Sequence, residues 1–164
     1  MKVSVDISRD DYANFNKSHF IKNQLNRVIF RGLFALFVLH YITYRKEFNV
    51  TRFTISSAIF IVAYIGLIYY RLSNTKKTPQ TRGIILGYKE YEFTNDEIIC
   101  KTEDSVTNLK WNSTQKIEQS KTAFYLYVDT NMALIIPKRY FETEAQQQDF
   151  SSFVTTKITT TRVN

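Results

Sequence analysis

Cysteine, histidine, proline and glycine are all scarce in this chain of 164 residues: one Cys, two His, two Pro and four Gly. A single thiol, Cys100, cannot close an internal disulfide, and with only His19 and His40 beside it the sequence offers no metal cluster. Low Gly and Pro exclude collagen-like and linker-like chains, and 44% hydrophobic with 15% aromatic residues excludes intrinsic disorder. Enzyme chemistry is also short of parts. Cys100 stands in Ile98-Ile99-Cys100 with no histidine in the same half of the chain to activate it, so it reads as a small buried hydrophobe. The expectation is a non-enzymatic protein with no catalytic residue, no metal and no cofactor.

The net charge is +7, and its distribution is uneven. Residues 1–82 carry 13 basic and 4 acidic side chains, whereas residues 83–164 carry 9 basic and 11 acidic. A nucleic-acid binder would place its basic excess on the folded domain, so nucleic acid is excluded as a partner. The positive charge instead brackets two apolar stretches, as it does beside a membrane surface.

Those stretches predict transmembrane helices over residues 28–44 and 53–70. The second holds no charged residue and at about 1.5 Å per residue is close to the thickness of the hydrocarbon core. The first is interrupted by Arg31, near enough to its start to extend back toward headgroups, and by His40, near the loop end and suited to interfacial hydrogen bonding. Arg45 to Arg52 suffice for a tight hairpin. Lys17, Lys22, Arg27 and Arg31 on one flank and Arg71, Lys76, Lys77 and Arg82 on the other outnumber Arg45, Lys46 and Arg52 in the loop, which puts both termini in the cytoplasm. No cleavable signal peptide is visible in the polar first 27 residues.

Ahead of the first span, Val3, Val5 and Ile7 alternate with polar residues as a short strand, and Ser8 with Asp11 reads as the cap of a helix bearing Tyr12, Phe15 and His19. Because the hairpin has no strand to pair with it, the only sheet available to this segment is the C-terminal one. Ser73 to Gly83, with Pro79, is a basic linker. From Leu86 the pattern turns to period two, giving five or six antiparallel strands with turns at Asn95-Asp96 and Asp129-Thr130-Asn131. A helix from about Glu144 to Lys157, capped by Thr143 with Gln146, carries Phe150, Phe153, Val154 and Ile158 on one face. The fold class is therefore an α+β membrane protein: residues 1–82 hold the N-terminal strand, an amphipathic helix, the hairpin and the linker, and residues 83–164 a cytoplasmic β-rich domain closed by one helix.

The runs Leu109-Lys110-Trp111-Asn112, Lys116-Ile117-Glu118, Phe124-Tyr125-Leu126-Tyr127 and Ala133-Leu134-Ile135-Ile136-Pro137-Lys138-Arg139-Tyr140-Phe141 resemble the C-terminal domain of the YcxB-like bacterial membrane proteins. The opening Ser8-Arg9-Asp10-Asp11-Tyr12 with Phe15 and Asn16 is similar to the same family. The resemblance implies a two-span inner-membrane protein with a cytoplasmic, pleckstrin-homology-like β domain and no defined biochemical activity.

Trp111, Pro137, Phe150 and Phe153 are the expected structural residues: a core anchor, a strand terminator and a helix face. Lys76, Lys77, Arg82, Lys138 and Arg139 are the candidate contacts to anionic lipid or to an acidic partner. The expected function is a membrane-anchored interaction or regulatory module whose partners are the bilayer and another membrane or cytoplasmic protein, or a second copy of itself. The alternative is a subunit of a small oligomeric channel or transporter, with Arg31 and His40 along its pathway.

Overall fold

The fold, described by a computed structural model over residues 1–45, 47–77 and 85–163, is α+β. Pro79, Arg82 and Gly83, and the side chain of Lys76, lie outside the described residues. Two compact units emerge: Met1–Phe15 with Lys76–Asn164, and Asn16–Thr75. The first fifteen residues thus belong with the C-terminal half, whereas the sequence groups them with the hairpin.

The reason is strand pairing. Strand β1 (Lys2–Ile7) lies antiparallel to β2 (Gly87–Phe93), with Val3 opposite Tyr91 and Val5 opposite Lys89. Met1 N donates to the Phe93 carbonyl at 2.8 Å and Phe93 N returns the bond at 2.7 Å. Alternation in β1 buries Val3, Val5 and Ile7 and leaves its polar residues out, so burial and ladder bonds are satisfied together. Gly87 opens β2 at φ +94°, a left-handed backbone that a side chain would strain. β3 (Glu97–Lys101) and β4 (Val106–Lys110) complete a sheet of order β1-β2-β3-β4, and β5 (Lys116–Gln119), β6 (Ala123–Asp129) and β7 (Met132–Pro137) form a second sheet. β4 ends at Lys110 because Trp111 begins a 3-10 turn, and its indole N–H donates to the Thr94 carbonyl at 3.2 Å.

Helix α1 (Arg9–His19) starts under a reciprocal cap: Asp11 N donates to Ser8 Oγ at 3.2 Å, and Ser8 N to Asp11 Oδ2 at 2.9 Å. Helix α4 (Glu144–Val163) starts under Thr143 Oγ1, which accepts from Gln146 N; the Gln146 side chain reaches the Glu142 N–H instead of closing the box on Thr143.

β6 is buried from Ala123 to Tyr127 on both faces, and the two faces have different covers. Phe124 meets Phe150 of α4 at 5.3 Å, while Tyr125 and Tyr127 meet Phe15 of α1 at 5.3 and 5.9 Å between ring centroids. Phe150 also lies 5.0 Å from Phe93 of β2, so its ring touches both sheets.

In the second unit, helix runs from α1 through a π-helical turn (Phe20–Gln24) into α2 (Leu25–Thr43), and α3 (Val50–Ser73) follows under an Asn49 cap. The helices Arg9–Thr43 and Val50–Ser73 are long and apolar enough to cross a membrane. Their outward side chains are large and apolar, among them Phe30, Phe34, Ile59 and Val62. Their inner seam includes a small residue against a polar ring: a Cβ on Gly32 would lie 2.6 Å from the Tyr64 ring, and Tyr64 OH donates to the Val28 carbonyl at 2.8 Å. At the loop end His40 Nε2 bonds Ser57 Oγ at 2.8 Å and its ring stands edge-on to Phe53 at 4.2 Å.

Candidate functional site

Pro137 ends β7 with its ring fully buried, and Lys138–Tyr140 then form one 3-10 turn. The turn sends its two cations to different tasks. Lys138 Nζ sits 5.0 Å above the Phe124 ring. Arg139 reaches the first turn of α1, where its two terminal nitrogens bond Asp11 Oδ1 at 2.6 Å and Oδ2 at 2.8 Å, and one of them also bonds the Asp6 carbonyl at 3.0 Å. Tyr140 OH donates to the same carbonyl at 3.0 Å.

This bidentate pair is a clamp between the end of β7 and the β1–α1 corner. Burial alone would push the Asp11 carboxyl up, but the hydrogen bonds from Arg139 and Ser8 outweigh it and hold the group below the ordinary carboxylate range. The same bonds push the Arg139 guanidinium further up, against the opposing effect of its own burial. Arg139, expected as a free contact for lipid or partner, is therefore occupied within its own unit. Lys77 ends a short 3-10 turn and is exposed. Trp111 packs against Phe93 and Phe153, with ring centroids 6.4 and 5.9 Å away, so the aromatic face of α4 closes over the start of the second sheet.

A cleft of about 370 Å³ lies between the four-stranded sheet and β7, walled by Ile7, Tyr12, Leu109, Leu134 and Ile135. Polar groups reach it from Lys89 and Tyr91 of β2, Cys100 of β3, which pairs with Tyr91, Thr107 of β4 and Asn131 before β7. Burial pushes the Tyr91 hydroxyl well above its ordinary range. Burial raises the Cys100 thiol as well, with the nearby Lys89 charge opposing it. A neutral thiol and phenol beside one ammonium in an apolar wall suit binding better than nucleophilic attack. Lys89 is only 6% exposed and is absent from the sequence-derived candidates. The signal was present, because Lys89 falls in the alternation Lys89, Tyr91, Phe93 that faces the core. Asp11 likewise reads locally as a cap, and nothing local ties it to Arg139.

No curated protein and no solved structure matches the chain. A family model, described as YcxB-like protein, matches residues 93–154. That stretch begins at the last residue of β2, takes in β3 to β7 with the Lys138–Tyr140 turn, and ends at Val154 on the buried face of α4. Over that stretch the C-terminal region of the chain is similar to the YcxB-like proteins.

Proposed function

We propose that the protein is a membrane-anchored, non-enzymatic interaction module: two spans hold a pleckstrin-homology-like β domain at the inner face of the plasma membrane, with both termini in the cytoplasm. The observation that carries this reading is the pairing of β1 with β2 across the hairpin. Strands that share one ladder lie on one side of a membrane, so the chain between them crosses an even number of times, as two helices of this length do. The basic residues flanking the hairpin favour the cytoplasm for that side. A four-stranded and a three-stranded antiparallel sheet closed by a C-terminal helix support the pleckstrin-homology-like arrangement.

The cleft beside Lys89 is the surface for a partner, and the linker cations Lys76, Lys77 and Arg82, with Lys138, add attraction to anionic lipid. The channel reading draws less support. Between the polar ends of the hairpin seam, at His40 with Ser57 and at Tyr64, stand Leu36 and Phe60, which interrupt any polar path.

The test combines location and contact. The protein should stay with membranes in carbonate. In a Cys100→Ser background, Asn49→Cys should be labelled from outside intact cells and Asn131→Cys should not. A photo-crosslinking side chain at Met132, on the cleft rim, should capture one partner in native membranes, and Ala133→Trp, which fills the cleft, should abolish that adduct. Release by carbonate overturns the anchor, and an adduct indifferent to Ala133→Trp overturns the cleft as the contact.

A further inference from the structure

Between Asn16 and Thr75 the only carboxylate is Glu47, and it belongs to the loop joining the two apolar helices. The opposite end of that unit holds Lys17, Lys22, Arg27, Arg31 and Arg71. The first turns of α2 and α3 contain no acidic residue either, so the arginines at the open end have no counter-charge inside their own unit.

A cleft of about 280 Å³ opens there between α2 and α3, lined by polar groups from both: Asn16, His19, Gln24 and Arg31 before and within α2, Arg71 near the end of α3, and Thr75 after it. Val28, Ile68 and Leu72 form its apolar floor. The π-helical turn Phe20–Gln24 supplies two of the wall residues, and its extra residue per turn widens the helix at this level. Arg31 is within the apolar stretch, where an uncompensated guanidinium is costly unless a charged partner reaches it.

We propose that this cleft binds the phosphate of an anionic phospholipid in the leaflet at the open end of the hairpin. Arg31 and Arg71 grip the phosphate oxygens, and the apolar floor takes the first methylenes of an acyl chain. Guanidinium groups match phosphate oxygens two at a time and lose less hydration than ammonium groups, which suits two arginines at the depth of the headgroups. The inference rests on the membrane-spanning reading above. It differs from general attraction by the linker, since it requires one discrete site between two helices and names arginines the linker does not contain.

Native mass spectrometry of the full chain released from micelles tests it, with phosphatidylglycerol and phosphatidylcholine offered in equal amounts. Both lipids carry a phosphodiester, but only phosphatidylglycerol is anionic. The wild type should retain phosphatidylglycerol about tenfold over phosphatidylcholine, Arg31→Gln and Arg71→Gln should each lose most of that preference, and the double variant should lose all of it. Arg71→Lys, which keeps the charge and loses the fork, should retain an intermediate preference. Lys77→Gln, in the linker, should leave it unchanged. Equal retention of the two lipids by the wild type, or an undiminished preference in Arg71→Gln, overturns the site. Displacement of the lipid by millimolar inorganic phosphate, with phosphate retained alone, would make free phosphate the ligand and overturn the lipid. Carbonate extraction of the same preparation separates the two failures: a protein that stays in membranes yet shows no lipid preference removes only this site.

Discussion

Phenylalanine serves opposite ends in the two units. Phe93, Phe124 and Phe150 are at most 1% exposed in the β-rich unit, whereas Phe30, Phe34 and Phe37 are 71, 60 and 67% exposed along α2. The β-rich unit removes its aromatic surface from water by folding onto itself. The hairpin points the same surface outward and turns Gly32, His40, Ser57 and Tyr64 inward, as a pair of helices does when the surrounding solvent is hydrocarbon. Burial therefore reports stability in one unit and surroundings in the other.

The sharpest test of that contrast is a pair of truncations in the full-length protein in detergent. Phe150→Ala removes a ring that touches both sheets and should cost the β-rich unit about 4 kcal/mol, read from its thermal unfolding. Phe34→Ala, on the outward face, should leave that transition within about 0.5 kcal/mol. Equal effects would erase the distinction.

Arg139→Ala should cost about 2 kcal/mol, less than a fully buried pair because the arginine side chain is 49% exposed. The pH dependence has a definite sign. The folded carboxyl of Asp11 is held low, so the pair contributes fully above the pKa of the unfolded group and is lost as pH falls through the folded value. The gap between wild type and Arg139→Ala should stay constant from neutrality to about pH 5 and close below about pH 4 in denaturant titrations. A gap that widened in acid would mean that Asp11 is not the partner.

In the hairpin, Gly32→Ala should weaken helix pairing by about 1 kcal/mol or more, since the new methyl meets the Tyr64 ring. Tyr64→Phe, which loses only the bond to the Val28 carbonyl, should cost about 0.6 kcal/mol. Steric trapping of the helix pair in bicelles measures both, and reversed ranks would place the seam elsewhere. A rate rather than a stability tests Cys100, whose thiol burial pushes up. Alkylation by iodoacetamide at neutral pH should run about tenfold slower than for a free peptide thiol, with its pH profile displaced upward. A rate at or above the free thiol's would show an open and activated site.

Much of the architecture was legible because its signals are local. The Ser8–Asp11 cap, the alternation through Val3, Val5 and Ile7, the turn before Glu97 and the apolar face of α4 are all set by residues within a few positions of one another. The site residues were read less well because their meaning depends on distant partners. Arg139 is one of two adjacent cations after a proline, and only the packing of β1 and α1 against that corner turns it from a surface charge into a clamp on Asp11, 128 positions away. Lys138, its neighbour, covers a ring in the second sheet instead. The alternation in β6 also misleads: it marks one face of Phe124 and Leu126 as buried, yet Tyr125 and Tyr127 are buried too, because Phe15 from before the hairpin covers them.

The split of one sheet around the hairpin bears on how the molecule is made. Met1 and Phe93 exchange hydrogen bonds across 92 positions, so β1 leaves the ribosome long before its partner exists and must wait through the synthesis of both long helices. Until β1 pairs, β2 presents a bare edge. The four-stranded sheet is therefore complete only once the whole helical stretch and β2 have been made, which puts its longest-range pairing last in synthesis.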